Sequence, residues 1–224
     1  MNGCNTKDKL KKALNKKYGI YNIHECKSKC FMLSADEDLY NRLTSDAGFF
    51  KLIDLCGYTI TEINYINKKT YNLCLEPNCG EKCNELVYDK CDGIVWYVTK
   101  KEFWEYIVHN GIKPRVGERI ILSCGETSQE MVDNVKFLIK KLAIPEGEYV
   151  IYKIDLKFNR HHPYKVNFYC DPSEDGKHNF IYANAMFFPH YIANEFYSID
   201  EMQNDLDRID RNLVFKLMKQ RGEI

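Results

Sequence analysis

Nothing in these 224 residues is long and apolar enough to cross a bilayer, since no window approaches the roughly 18 to 20 apolar residues of a spanning helix. The opening stretch from Met1 to Lys7 leads into Lys9, Lys11 and Lys12 without the apolar core of a secretory signal. A soluble, intracellular, cytoplasmic protein with no membrane partner is expected. Charge of one sign is missing too: 32 Lys and Arg balance 32 Asp and Glu, so no global basic field exists to hold a phosphate backbone, and a nucleotide or RNA partner would need a local patch. Alanine is scarce beside Lys, Asn, Ile and Tyr, whose codons are AT-rich, as in the genome of a large DNA virus, a phage of a low-GC host or a protist. Also lacking are GxxxxGK[ST], a GxGxxG after a strand, and HExxH, and with them the sequence support for P-loop, Rossmann and zincin chemistry.

What is present is enough to fold: 45% of the residues are hydrophobic, which suffices for one large domain or two small ones. Leu10 and Leu14 mark a short amphipathic helix over 6–17. Ser34 followed by Glu37 looks like an N-cap, opening a helix whose Leu39, Leu43, Phe49, Phe50, Ile53 and Leu55 face the core, with Gly48 the candidate break. The β-branched and aromatic runs 58–66 and 70–74 predict a hairpin. A turn-rich, cysteine-containing stretch then closes an N-terminal α/β module at about Asp92.

From Gly93 to the end a second, α+β domain is expected. Its strands are 94–98, 119–123, 149–156, 166–169 and 179–183, and its helices are 100–110 (closed by Gly111), 128–142 and 200–220. Trp96, Phe103, Trp104 and Ile107 are expected to form one buried cluster, and Met202, Leu206, Ile209, Leu213 and Leu217 to form the apolar stripe of the last helix.

Ten cysteines without a signal peptide suit reduced thiols or a metal site better than a disulfide scaffold. Cys74, Cys79, Cys83 and Cys91, separated by four, three and seven residues in a turn-rich loop, would let four thiolates surround a zinc ion. The same residues suit small core side chains, because CxxC knuckles are absent. His24, Cys26 and Cys30 are a weaker group near the same region. Cys124, just after a strand, has no adjacent base that would make it a nucleophile. The loop Asn159-Arg160-His161-His162-Pro163-Tyr164 carries a cation, two imidazoles and an aromatic ring, which suits anion binding or acid–base work, or equally a solvated surface loop.

The chain from Ile94 to about Tyr197 resembles the ADP-ribosyltransferase-like fold, in its tRNA 2′-phosphotransferase and poly-ADP-ribose polymerase branches. The pieces that carry the resemblance run in order: Trp96-Tyr97-Val98-Thr99, Asn110-Gly111-Ile112-Lys113-Pro114, Arg119-Ile120-Ile121-Leu122-Ser123, Tyr149 to Leu156, Val166-Asn167-Phe168-Tyr169, and Phe188-Pro189-His190-Tyr191-Ile192. The resemblance implies a split β-sheet with flanking helices and a cleft for NAD or a related ADP-ribose group, with Tyr97, Thr99, Ser123, Arg160, His161 and His162 as ligand-binding candidates. It also exposes departures. Tyr97 stands where the family has its ribose-contacting histidine, Ile120 and Ile121 replace polar residues, and no catalytic glutamate matches near Phe180-Ile181-Tyr182, so no catalytic residue is assigned. Two functions are therefore expected: a catalytically degenerate domain that binds a protein partner or self-associates, or a divergent transferase acting on NAD or a 2′-phosphorylated RNA.

Overall fold

In the computed structural model, residues 4–25, 30–67, 69–77, 82–115, 120–158, 166–170, 180–183 and 185–221 are described. They form a mixed α+β structure with two antiparallel sheets.

The first sheet has the order β1-β2-β4-β3, from β1 (Ile23–Glu25), β2 (Phe31–Ala35), β3 (Tyr58–Asn67) and β4 (Thr70–Pro77). One face packs under α1 (Cys4–Tyr18), α2 (Glu37–Thr44) and α3 (Ala47–Leu55). The alternation Phe31, Leu33, Ala35 buries every second residue of β2 and leaves Ser34 at the partly exposed positions, where its hydroxyl donates to Asn72 Oδ1 at 2.9 Å. Ser34 is thus a strand residue, not a cap. The cap of α2 is Asp36, whose carboxylate accepts from the Leu39 amide, and Asp46 caps α3 through the Gly48 amide. The helix break expected at Gly48 falls two to three residues earlier, at Ser45 and Asp46. Gly48 serves instead as a close approach: a Cβ there would meet Lys17 Nζ at 2.8 Å. Leu55, expected in the core, ends α3 on the outside at 73% exposure.

The second sheet has the order β10-β7-β5-β6-β9-β8, built from β5 (Ile94–Lys100), β6 (Leu122–Ser123), β7 (Tyr149–Asp155), β8 (Phe168–Cys170), β9 (Phe180–Ala183) and β10 (Ile192–Phe196). β5 lies between β7 and β6 and is buried on both faces, from Val95 through Thr99. Trp96 and Val98 meet Val132, Val135 and Leu138 of α5 (Ser128–Lys141) and Met202 and Leu206 of α6 (Ile199–Gln220). On the opposite face Val95 and Tyr97 pack with Val87 of a π-helical turn (Leu86–Lys90), Ile107 of α4 (Trp104–Asn110) and Phe187. Cys83, Val87 and Cys91, which precede the boundary expected at Asp92, belong to this second core, whereas the first core draws on residues between Leu10 and Leu75.

The expected cluster of Trp96, Phe103, Trp104 and Ile107 does not form. Trp96 lies on the α5/α6 face and Ile107 on the other, because neighbouring strand residues point to opposite faces. Trp104, at the first turn of α4, is 38% exposed and donates its indole N–H to Glu195 Oε2 at 2.9 Å. The stripe of α6 is also shorter than its pattern: Met202 and Leu206 are buried, but Ile209, Leu213 and Leu217 are 41%, 55% and 41% exposed, because the helix has run past the sheet. Among the described residues no helix is long and apolar enough to cross a membrane.

Trp96→Ala is expected to cost about 3 to 5 kcal/mol, lowering the melting temperature by about 10 °C, whereas Trp104→Ala costs about 1 kcal/mol. Calorimetry of the two variants checks the placement, and equal losses would overturn it.

Candidate functional site

Tyr97 and Thr99 stand two residues apart on β5 and so share one face of the sheet, where both are 1% exposed. Their hydroxyls are brought into an apolar interior and need partners there. Arg115 provides one. Gly111 ends α4 with φ 75°, and a Cβ at that position would lie 2.2 Å from the Phe187 carbonyl oxygen, so only glycine turns the chain here. Paired hydrogen bonds between Ile112 and Phe187, 2.8 and 2.9 Å long, then lay the following turn across the sheet. Arg115 donates from Nη2 to Tyr97 Oη at 3.1 Å and to Thr99 Oγ1 at 3.0 Å, and its guanidinium lies 3.6 Å from the Phe103 ring centre.

The N-terminal unit grips the same turn. Tyr40, on α2, donates to the Pro114 carbonyl at 3.2 Å, and Lys113, 5% exposed, reaches Ser45 Oγ at 2.8 Å. Burial lowers the Lys113 ammonium from its ordinary value, as expected where desolvation penalises the charged form.

A polar strip continues across the sheet. The Tyr97 ring is stacked with Tyr152 of β7, centroids 6.3 Å apart, and Tyr152 lies opposite Glu195 of β10, so all three residues share a face. Tyr152 is fully buried, and among the described residues its hydroxyl has no hydrogen-bond partner. Burial, with the Glu195 carboxylate as a second cause, raises its pKa well above the usual phenol range. Glu195 accepts from Trp104 Nε1 on one oxygen and from Tyr197 Oη, at 2.7 Å, on the other. Burial and then the Glu195 hydrogen bond push Tyr197 up to about 12. Arg115 and Glu195 are the members of this strip that sequence reading missed. Arg115 directly follows the turn Asn110 to Pro114, and that adjacency was its one signal, while Glu195 sits in a strand with no motif around it.

The other expected ligand residues are elsewhere. Ser123 pairs with Trp96 and Phe180 and therefore lies on the α5/α6 face, with the sheet between it and Tyr97. Arg160, His161 and His162 fall outside the described residues. The flanks of their loop, Lys157 and Val166, line a cleft of about 1270 Å³ between α3 and the edge of the second sheet. Asp54 of α3 reaches across it to accept from Asn167 Nδ2 and from Tyr169 Oη at 2.7 Å. Asn84 donates to Asn167 Oδ1 at 3.0 Å, and Lys157 Nζ donates to the Tyr88 carbonyl at 2.7 Å and to Asp92 at 2.8 Å. Four carboxylates, Asp54, Asp89, Asp92 and Asp155, line this cleft beside two lysines, Lys51 and Lys157, so its lining is mixed in charge with acids in excess.

Among the described residues the candidate cysteines do not gather as zinc ligands. Cys74 lies on β4 of the first sheet, where Asn64 Nδ2 approaches its sulfur at 3.9 Å, while Cys83 and Cys91 are buried in the second core and Cys79 is outside the described residues. Among the described residues no three His, Cys, Asp or Glu side chains converge to hold a metal ion. Cys91 is engaged instead by Cys124, and that hydrogen bond, followed by burial, raises the Cys124 thiol far above its ordinary value, so it stays protonated. Of the second group, His24 is on β1, Cys26 is outside the described residues, and Cys30 approaches Glu76 Oε1 at 3.8 Å.

No protein-family model and no curated protein sequence matches this chain.

The buried phenols make alkaline stability a test of this arrangement. Burial, the largest cause in each, pushes Tyr40 and Tyr88 up to about 12, while an unfolded tyrosine ionises near ~10. Below pH ~10 their contribution to stability is complete; above it the unfolded chain releases protons that the native state still holds, so stability falls as pH rises towards 12. Spectrophotometric titration is expected to show a group of tyrosines that ionise only together with unfolding. Ionisation of every phenol near pH ~10 with the fold intact would contradict the burial.

Proposed function

We propose that this chain carries a catalytically degenerate ADP-ribosyltransferase-like domain, and that it works by binding and assembly instead of turnover. The observation that supports this most directly is the position of Arg115. By the resemblance, Tyr97 occupies the place of the family's ribose-contacting histidine, and in this protein the Tyr97 and Thr99 hydroxyls are covered by a guanidinium sandwiched against Phe103. A ribose could reach Tyr97 only if Arg115 withdrew, and withdrawal gives up two hydrogen bonds and an aromatic contact in a turn that Tyr40 and Lys113 also hold.

The chemistry points the same way. Transfer from NAD needs a polar group aimed at the cation that develops at the ribose carbon. Among the described strand residues, Glu195 is the carboxylate on the Tyr97 face of the sheet, and both of its oxygens are engaged, by Trp104 and Tyr197. A balanced net charge, and a cleft in which acids stand beside Lys51 and Lys157, make a protein a more natural partner than RNA.

Incubation with labelled NAD is expected to yield neither glycohydrolysis nor self-modification above background. Arg115→Ala is expected to cost about 2 kcal/mol, because it removes two hydrogen bonds to buried hydroxyls, and to create no activity. NAD turnover by the native protein that Tyr97→Phe abolishes would overturn the proposal and establish the divergent transferase in its place.

A further inference from the structure

Sulfur is gathered in one part of the second core. Cys83, Cys91 and Cys124 are buried there as free thiols, and Cys170 packs against the same cluster. Four separate stretches of chain deliver them. The Cys83 amide donates to the Phe168 carbonyl at 3.0 Å, at the start of β8, and Cys170 ends that strand. Cys91 closes the π-helical turn, its amide donating to the Leu86 carbonyl at 2.9 Å. Cys124 follows β6, two residues beyond Leu122, which pairs with Tyr97, and Asn134 of α5 holds the Cys124 carbonyl at 2.7 Å.

One pair within this group is set apart by its hydrogen bonds. The Cys124 thiol donates to the Cys91 sulfur, and the Gly125 amide donates to the same atom. The Cys124 bond, reinforced by that amide, outweighs burial and the carboxylates of Glu126 and Glu130, so the Cys91 thiol is lowered from its ordinary value while the donor, Cys124, is raised. A sulfur that ionises readily beside one that keeps its proton is the arrangement in which the first is oxidised and the second resolves it. Cys83 and Cys170 act on Cys124 through charge. Among the described residues no three side chains converge to hold a metal ion, so the chemistry open to these thiols is that of a pair.

We propose that Cys91 and Cys124 form a dithiol that hydrogen peroxide oxidises to a disulfide, tying the π-helical turn to the end of β6. The Cys91 thiolate attacks one peroxide oxygen; the S–O bond forms as the O–O bond breaks, and the departing hydroxide takes up the proton that Cys91 released. The Cys124 sulfur then attacks the Cys91 sulfur; the S–S bond forms as the S–O bond breaks, and the second hydroxide leaves with the Cys124 proton as water. Two thiols thus give up two electrons to one peroxide, which becomes two waters, and a dithiol reductant reverses the change. Cys91 is 4% exposed, but its neighbour Asp92 lies on the wall of the large cleft, and peroxide is scarcely larger than water. The bond closes a junction held by few contacts: β5 and β6 pair at two positions, Trp96 with Ser123 and Tyr97 with Leu122, and β6 carries β9 and β8. A cross-link between residues 33 apart in the chain restricts the unfolded state and so favours the folded one.

Mass spectrometry of the full chain, treated with hydrogen peroxide and then denatured and alkylated, tests the proposal. The expected product is lighter by two hydrogens, has two fewer alkylated positions than the ten cysteines of the reduced chain, and yields an intramolecular cross-linked peptide pair containing Cys91 and Cys124, all reversed by dithiothreitol. The oxidised protein should melt about 5 to 10 °C higher than the reduced one. Cys124→Ala should leave Cys91 as a sulfenic acid that dimedone captures, whereas Cys91→Ala should leave no dimedone adduct on Cys124. The peptide map is made on the native chain and so needs neither variant to fold. A cross-link joining another pair of cysteines in its place, sulfinic acid at Cys91 without a cross-link, or ten free thiols after treatment would each overturn the proposal. An oxidised protein that melts no higher than the reduced one would overturn the tie between the turn and β6.

Discussion

The contact on which this structure depends is the one between Arg115 and the hydroxyls of Tyr97 and Thr99. β5 is the strand around which the second sheet is built, and it is buried on both faces, so the hydroxyls of Tyr97 and Thr99 find partners inside the protein. A lysine would bring a point charge to this position. Arginine brings a planar fork that can serve two hydroxyls while its face rests on Phe103, and it loses less hydration on burial. Because the fork arrives from the turn after α4, the close approach at Gly111 and the pairing of Ile112 with Phe187 become conditions for it.

That turn is also where the two units of the chain join. Tyr40 and Ser45, at the two ends of the second half of α2, hold Pro114 and Lys113, and on the far side of the cleft Asp54 of α3 holds Asn167 and Tyr169. Two of the three helices of the first unit, α2 and α3, thus clasp the second at separate places, leaving the large cleft between them. The contacts are hydrogen bonds between neutral or singly charged groups, several of them part-buried, which fix orientation more than they add stability. A first sheet that packs its own core of residues between Leu10 and Leu75 is therefore also a brace for the Arg115 turn.

Burial of polar groups sets the chemistry available. The hydroxyls of Tyr97, Thr99 and Tyr152 and the carboxylate of Glu195 lie in one strip: Arg115 serves Tyr97 and Thr99, the indole of Trp104 and the hydroxyl of Tyr197 occupy Glu195, and the Tyr152 hydroxyl has no hydrogen-bond partner among the described residues. The surfaces that face outward are of another kind: a cleft of mixed charge, and a helix end that exposes Ile209, Leu213 and Leu217 among charged side chains.

Periodicity alone determined much of this architecture. The helix over α1, the β3–β4 hairpin, the strands β5 and β7, the helix α5 and the C-terminal helix are all visible in the spacing of apolar residues, because each buries one face or, in β5, both. Cap chemistry was legible only in part: Ser34 and Asp36 are both competent caps, and the choice between them depended on how far β2 pairs with β4. For the site, Tyr97 and Thr99 could be named in advance as neighbours on one strand face, and Gly111 as the end of a helix. What the sequence could not determine is which side chain meets them. Ser123 was separated from Tyr97 by the pairing register, Trp104 was turned outward by the axis of α4, Cys91 was given to Cys124, and Arg115 was delivered by a turn whose path depends on Phe187, more than 70 residues further along. Local pattern reports which face of an element is apolar, whereas the partner on that face is set by how distant elements cross, and only the tertiary structure decides that.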